Sequence, residues 1–382
     1  MKFALCNPTD IRFGIGQIKQ LRDLVPAGSS VLLLYGGGSI KANGVHDQVM
    51  TALADSKVVE FGGVEPNPLY ETLQRAANVA RENNIDLVLG VGGGSVADAA
   101  KFLATMLGMP GDDPWPELVA GKLPEKTIPV GIVLTLAATG SESNPTSVIS
   151  STRYGLKLPF ANQQARPRFA ILDPSTMASL SRRQLENGVV DAFTHVLEQY
   201  MTRPVNAPIQ YGFSETIMKV LAEWGPKLIK EPSDEARENV MWAANQALNG
   251  LIGAGVPQDW STHMIGHAIT AVYGIDHART LSAIMPALMR ERLEAKTAML
   301  ARYGRTVWDI RADDDREAAT QAIARTEQFF AQMGCPVALS GFDQAIDHEK
   351  IVDHLEKAGH VALGEDRAVN PAMVRAILEK AA

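Results

Sequence analysis

The chain has little cysteine, no long apolar run and no surplus of positive charge, and each shortage closes off a class of protein. Its two cysteines, Cys6 and Cys335, are too few for a disulfide framework and too far apart in sequence for a metal knuckle. A reducing compartment is expected, with the cytoplasm as the default. No apolar stretch is long enough to span a bilayer, and Phe3-Ala4-Leu5-Cys6 is too short to form the core of a signal peptide. A formal net charge of -7 leaves no basic stripe to displace counterions from phosphates, which argues against a nucleic-acid partner.

What is present is ordinary for a globular protein: 382 residues, 46% hydrophobic and 21% charged, with a mean hydropathy of -0.03. That length favours two domains. In the first half, continuous apolar runs alternate with helical patterns. Val31 to Tyr35, Val58 to Phe61, Ile85 to Val91, Ile128 to Leu134 and Phe169 to Leu172 read as strands, and Tyr70 to Asn83 as a helix after the Pro66-Asn67-Pro68 turn. Strands without polar alternation, separated by helices, indicate a mostly parallel sheet covered on both faces. After Asp173-Pro174 the strand signal ends. Helical patterns then dominate, clearest over Glu215 to Trp224, Ala236 to Ile252, Ala295 to Val307 and Glu317 to Met333, with breaks expected at Pro204, Pro208, Gly225-Pro226, Glu231-Pro232, Pro257 and Pro286. The expected division is an α/β domain over residues 1–180 and an all-helical domain over 181–382.

The helical half carries the densest chemistry. Asp191 and His195 are four apart in a run free of proline, so a helix puts carboxylate and imidazole on one face. His263 and His267 form a second such pair, and His277 follows Asp276 ten residues later. One oxygen ligand with imidazole nitrogens suits Zn or Fe(II), whereas Mg or Ca would want oxygens alone. Taken singly, each of these residues is read equally well as a core or surface side chain. Spacing alone does not choose among the three histidines of the second segment.

Gly90-Val91-Gly92-Gly93-Gly94-Ser95 closes a strand and opens a helix, an arrangement that lets a pyrophosphate approach the backbone and the free N–H groups of a helix start. It is not the GxGxxG spacing, and tight packing explains such a turn equally well. A second turn, Gly36-Gly37-Gly38-Ser39 with Lys41 beyond, also follows a strand. Dinucleotide folds that take NAD usually place an acid at such a strand end, and a carboxylate there would repel a 2′-phosphate. Glycine, serine and lysine here favour NADP. A third turn, Thr135 to Asn144, offers small and hydroxyl residues to a nicotinamide ribose, or is simply a capped helix start.

Together, Gly92-Gly93-Gly94-Ser95-x-x-Asp98, Thr135-x-x-x-Thr139-Gly140-Ser141-Glu142, Asp191-x-x-x-His195 and His263-x-x-x-His267 with His277 resemble the iron-containing (group III) alcohol dehydrogenases, over nearly the whole chain. The glycine turn at Gly36, Pro66-Asn67-Pro68 and the run Asn245 to Trp260 resemble the branch of NADPH-dependent aldehyde reductases and butanol dehydrogenases. The resemblance implies an N-terminal dinucleotide-binding domain, a helical metal domain, a cleft between them and a homodimer. It implies Asp191, His195, His263 and His277 as ligands of one divalent metal, Fe or Zn, with His267 beside the reacting centre but off the metal; the proton for the alkoxide is expected from His267 or from a water relayed through the ribose hydroxyls. It implies NADP(H) held by Gly93, Gly94 and Ser95 at the pyrophosphate, Asp98 and Thr135 near the nicotinamide and Lys157 at a ribose, to which the second and third turns add Gly37, Gly38, Ser39, Lys41, Thr139 and Ser141. Asn144, Val148 and Trp260, none of them charged, are expected to flank a small aldehyde. Leu136-Ala137-Ala138 and Gly188-Val189-Val190 depart from the family pattern. The activity implied is reversible reduction of small aldehydes to primary alcohols. The rival readings are a lyase of the dehydroquinate synthase sort, which would need Lys and Arg to grip a phosphorylated sugar, and a metal and nucleotide sensor without turnover.

Overall fold

The computed structural model describes every residue, Met1–Ala382. The chain divides into two compact units, Cys6–Leu180 and Ser181–Ala382, the latter including Met1–Leu5.

In the first unit the elements run β1 (Asp10–Phe13), α1 (Leu21–Leu24), β2 (Ser30–Tyr35), α2 (Ser39–Ala42), α3 (Val45–Ala52), β3 (Lys57–Phe61), α4 (Tyr70–Glu82), β4 (Leu87–Gly92), α5 (Gly94–Gly108), α6 (Trp115–Val119), β5 (Val130–Leu134), β6 (Thr146–Ser151), β7 (Leu156–Ala161) and β8 (Phe169–Leu172). Six strands form one parallel sheet in the order β1-β8-β5-β4-β2-β3. The strands lack polar alternation because both faces are covered. Val31, Leu33, Leu87, Leu89 and Val91 join a core shared with α1 and α3, while Leu32, Leu34 and Val88 join one shared with α4 and α5. Each such side chain, fully buried, contributes about 1.5–3 kcal/mol.

Sequence pattern did not disclose β1 or the antiparallel hairpin β6-β7. β1 is a four-residue edge strand and only half buried. β6 reads Thr-Ser-Val-Ile-Ser-Ser and buries Ser147, Ile149 and Ser151, so its inward face is largely hydroxyl and carries no apolar signal.

The second unit contains α7 (Arg182–Tyr200), α8 (Pro208–Lys230), α9 (Asp234–Ala247), α10 (Ser261–Tyr273), α11 (His277–Glu291), α12 (Leu293–Val307), α13 (Asp315–Gln332), α14 (His348–Lys357) and α15 (Pro371–Ala381). Pro208 sits in the first turn of α8, where its missing N–H costs nothing. Two expected breaks are not breaks: Pro226 lies inside α8 and Pro286 inside α11. An internal proline costs about 3 kcal/mol in an isolated helix. In α11, Ala278 and every residue from Thr280 to Met289 are buried, and packing on that scale outweighs the lost hydrogen bond. The helix expected to reach Ile252 ends at Ala247, because Asn249 Oδ1 accepts the Leu251 N–H and Gly250 takes a left-handed φ of 101°. Asp314, in the acidic run before α13, caps that helix by accepting the Glu317 N–H at 2.8 Å. No helix is long and apolar enough to cross a membrane.

Candidate metal centre and nucleotide turns

Local rules position the metal candidates. A capping box between Ser181 and Gln184 starts α7. The helix then presents Asp191 and His195 on one buried face, with Asp191 Oδ1 3.8 Å from His195 Nδ1. α10 brings His263, and His277 is the first residue of α11. Gly266 lets these two helices approach closely, since a Cβ there would lie 2.8 Å from Thr280 Oγ1 and 2.9 Å from Leu281 Cδ2. As a result His263 Nε2 and His277 Nε2 both lie 3.9 Å from the same Asp191 oxygen.

Those separations are too long for hydrogen bonds and suit ligands about 2.0–2.2 Å from one shared ion, which stand roughly 3–4 Å apart. Asp191, His195 and His263 present ligand atoms all within 4.8 Å of one another, and all three are buried. The donor set therefore fits a divalent cation that accepts one carboxylate oxygen and imidazole nitrogens. His267 packs its ring against His277, with centroids 4.5 Å apart, and 6.1 Å from His263. Trp260 precedes α10 in the left-handed conformation, φ 63°, which turns its ring to 5.2 Å from His263 and 6.1 Å from His195. Its indole N–H donates to Gln258 Oε1.

Sequence reasoning passed over Glu198. It stands three residues after His195 on the same stripe of α7, and its buried carboxylate accepts from Thr262 N at 3.0 Å and His263 N at 3.0 Å, with His263 Nδ1 at 2.8 Å. Burial, with Asp259 nearby, raises its carboxyl above the usual range, and the two N–H donors oppose that shift. The i, i+4, i+7 spacing of Asp191, His195 and Glu198 was the available signal.

In the other unit, Gly93 caps α5 and Gly94 begins it, after β4. A Cβ on Gly92 would fall 2.5 Å from Val96 Cγ2, and one on Gly94 2.6 Å from Thr139 Oγ1, so close packing requires both glycines here. Ser95 follows in the first turn, half-buried. Thr135 donates its backbone N–H to Gly92 O, which ties the first and third turns together. The Thr139–Ser143 segment is a single 3-10 turn over Ser141–Ser143 and does not start a longer helix.

Asp98, Ser141, Asn144 and Val148 belong to one hydrogen-bonded group. Asp98 Oδ1 accepts from Ser141 Oγ at 2.5 Å and Oδ2 from Val148 N at 2.9 Å. Lys101, 1% exposed and not singled out from sequence, donates to Asn144 O and Oδ1 at 3.2 and 3.1 Å and to Thr146 O. Burial raises the Asp98 carboxyl and lowers the Lys101 ammonium to about 8, each against the attraction of the other. A lysine amid the alanines of α5 was the missed cue. Lys157, on β7, donates to Asn67 Oδ1 at 2.7 Å.

At the second turn Gly37, Ser39 and Lys41 are exposed and Gly38 half-buried. The turn itself offers no acid, but Glu60 on β3 brings a carboxylate beside it, its Oε2 2.8 Å from Lys41 Nζ. It lies on a different strand, 19 residues from Lys41 in sequence, and only the parallel pairing of β2 with β3 brings it there.

Residues 8–174 match the model for iron-containing alcohol dehydrogenase, and residues 186–382 match that for the C-terminal part of the Fe-containing alcohol dehydrogenase family. The chain is 49% identical over 385 residues to the NADPH-dependent aldehyde reductase YqhD of Escherichia coli K12, covering 99% of each. It is 37% identical to a probable NADH-dependent butanol dehydrogenase of Bacillus subtilis, over 99% of this chain and 98% of that one. The crystal structure of E. coli YqhD superposes with a TM-score of 0.97, covering 100% and 99% of the two chains. That of the NADH-dependent butanol dehydrogenase A of Thermotoga maritima, 34% identical, gives 0.94 over 100% and 98%. Matched along both halves, the chain belongs to the iron-containing alcohol dehydrogenase family.

Proposed function

We propose that this protein reduces small aldehydes to primary alcohols with NADPH at a divalent metal held by Asp191, His195, His263 and His277. The observation that carries the reading is the single Asp191 oxygen faced by three imidazoles at 3.8–3.9 Å, in a chain 49% identical to an NADPH-dependent aldehyde reductase. When bound, the cation supplies a Lewis acid for the carbonyl oxygen and NADPH supplies the hydride.

The chain's own residues do the rest. Asp191 contributes the one anionic ligand among neutral imidazoles, leaving the bound ion a net positive charge. His267, one helical turn beyond His263 and 7% exposed, is the residue that hands a proton to the product oxygen. Trp260 walls the centre with an apolar ring. Gly37, Gly38, Ser39 and Lys41 take the adenosine end of the cofactor, Gly93, Gly94 and Ser95 the pyrophosphate, and Asp98, Thr135, Thr139, Ser141 and Lys157 the nicotinamide end. Asn144 and Val148, on the same unit as these, line the substrate side. Residues 1–180 serve as the cofactor domain and 181–382 as the metal domain. The family resemblance supports a homodimer, and the two unpaired cysteines support a reducing, cytoplasmic setting.

An aldehyde series tests the reading. An apolar wall gains about 0.8 kcal/mol per buried methylene until the space is full. From ethanal to hexanal, kcat/KM with NADPH rises and then levels or falls. A flat series, or a preference for phosphorylated or carboxylated aldehydes, contradicts it.

A further inference from the structure

We infer that Glu198 is a positioning residue for the metal centre: its carboxylate locks His263 in the orientation and tautomer that leave Nε2 for the ion. The inference rests on the metal reading above and adds a residue to it.

Glu198 Oε2 is 2.8 Å from His263 Nδ1 and 3.0 Å from the backbone nitrogen of the same residue, so the ring and the backbone of His263 are gripped by one atom. Oε1 accepts the Thr262 N–H at 3.0 Å. The carboxylate is 2% exposed. Each carboxylate oxygen thus accepts a backbone N–H at the start of the 13-residue helix α10, where the free N–H groups lie. The oxygen facing Nδ1 already accepts the backbone N–H of the same residue, so it meets the ring as an acceptor and the imidazole proton sits on Nδ1. Nε2 then carries the lone pair, and it is Nε2 that lies 3.9 Å from Asp191 Oδ1.

The placement also joins two helices. Asp191, His195 and Glu198 all come from α7, whereas His263 comes from α10, so this carboxylate is a hinge pin between the helix that holds two ligands and the helix that holds a third. The backbone repeats the tie, because Asp259 N donates to Glu198 O at 2.9 Å. A glutamine is a poor substitute: with its oxygen toward His263, its amide would face the Thr262 N–H donor to donor. Hydrogen-bonded carboxylates behind a ligating imidazole raise its basicity and fix its rotation, and their loss typically weakens metal affinity about 10–100-fold.

Metal-free full-length protein titrated with Co2+, read by its visible absorption against a competing chelator, tests this in wild type, Glu198→Gln and Glu198→Ala. Tyr200→Phe serves as a control that weakens α7 elsewhere, by removing the Tyr200–Glu215 hydrogen bond. The expected result is unchanged affinity in Tyr200→Phe, about 10–100-fold weaker binding in Glu198→Ala, and Glu198→Gln between wild type and alanine. Wild-type affinity in both Glu198 variants, whatever their melting temperatures, makes the carboxylate a helix cap only and overturns the inference. Should neither variant fold, 15N spectra of the zinc-loaded wild type decide: a proton on His263 Nδ1 with zinc at Nε2 is expected, and zinc at Nδ1 overturns it. No cobalt or zinc binding by wild type would remove the metal reading and this inference together.

Discussion

Lys41 is paired with Glu60 at 2.8 Å, and the Tyr35 hydroxyl donates to the same carboxylate at 2.9 Å, so the ammonium beside the first glycine turn is already held by an acid from the next strand. The pairing with Lys41 lowers the Glu60 carboxyl below its ordinary range and keeps it ionised at neutral pH. A 2′-phosphate at this turn must draw Lys41 away from Glu60. The backbone N–H groups after Gly37 and the Ser39 hydroxyl carry no such competitor.

Gly37→Asp tests that placement without disturbing the fold, because a Cβ at Gly37 meets no atom within 4 Å and its φ lies outside the left-handed region. Wild type is expected to favour NADPH over NADH by about 10–100-fold in kcat/KM, the worth of one hydrogen bond to a charged group. In the variant the preference disappears or reverses, since the new carboxylate repels the phosphate and accepts from ribose hydroxyls. Measuring both cofactors with one aldehyde settles it. Full NADPH preference in the variant removes the adenosine end from this turn.

Much of the architecture was legible because the strands are buried on both faces, and continuous runs such as Leu32-Leu33-Leu34 leave few alternatives. The hairpin was not, because its inward positions Ser147 and Ser151 are hydroxyl residues, Ser151 donating to Glu71 Oε1 at 2.7 Å. Pro286 misled for the opposite reason: the penalty of one proline is visible in sequence, while the burial that offsets it is not. At the site, i, i+4 spacing sufficed to bring Asp191 and His195 together. The approach of His277 to Asp191 depends on Gly266 and on the crossing of α10 and α11, which no spacing rule encodes. Glu60 stayed hidden because strand pairing, and no local pattern, carries it to Lys41.

The ligand set makes a second prediction. Asp191→Ala, His263→Ala or His277→Ala loses metal and activity together, whereas His267→Ala keeps its metal and slows turnover by about 10²–10⁴-fold, the usual contribution of a positioned acid. Elemental analysis of the purified variants reads the first quantity and steady-state kcat the second. A metal-free His267→Ala, or a His277→Ala that retains its metal, assigns the ligands wrongly.

Acid stability gives a third. Asp113 accepts from the Tyr70 hydroxyl at 2.6 Å, the Tyr154 hydroxyl at 3.0 Å and Arg153 at 2.9 Å, beside the Tyr70–Trp115 ring contact. The Tyr70 hydrogen bond, ahead of the other causes, holds its carboxyl below the ordinary value. A depressed carboxylate contributes stability above its unfolded pKa of about 3.9 and loses it as pH falls through the lower folded value. Asp113→Asn should therefore cost roughly 1 kcal/mol at pH 7, reduced by its partial exposure, and the cost should fade below about pH 4. Urea denaturation at pH 7 and pH 3 measures both. An equal loss at the two pH values contradicts the ionised hydrogen bond.

The central claim is that one metal ion at Asp191 and its histidines makes this chain an NADPH-dependent aldehyde reductase, and reconstitution tests it most directly. Chelated protein is given NADPH and butanal, then one equivalent of Fe2+ or Zn2+ per chain, and NADPH oxidation and butanol are followed together. The account predicts no turnover before the metal, and after it one butanol formed per NADPH consumed. Equal NADPH consumption by the metal-free protein, or none by protein shown to hold both metal and NADPH, would contradict it.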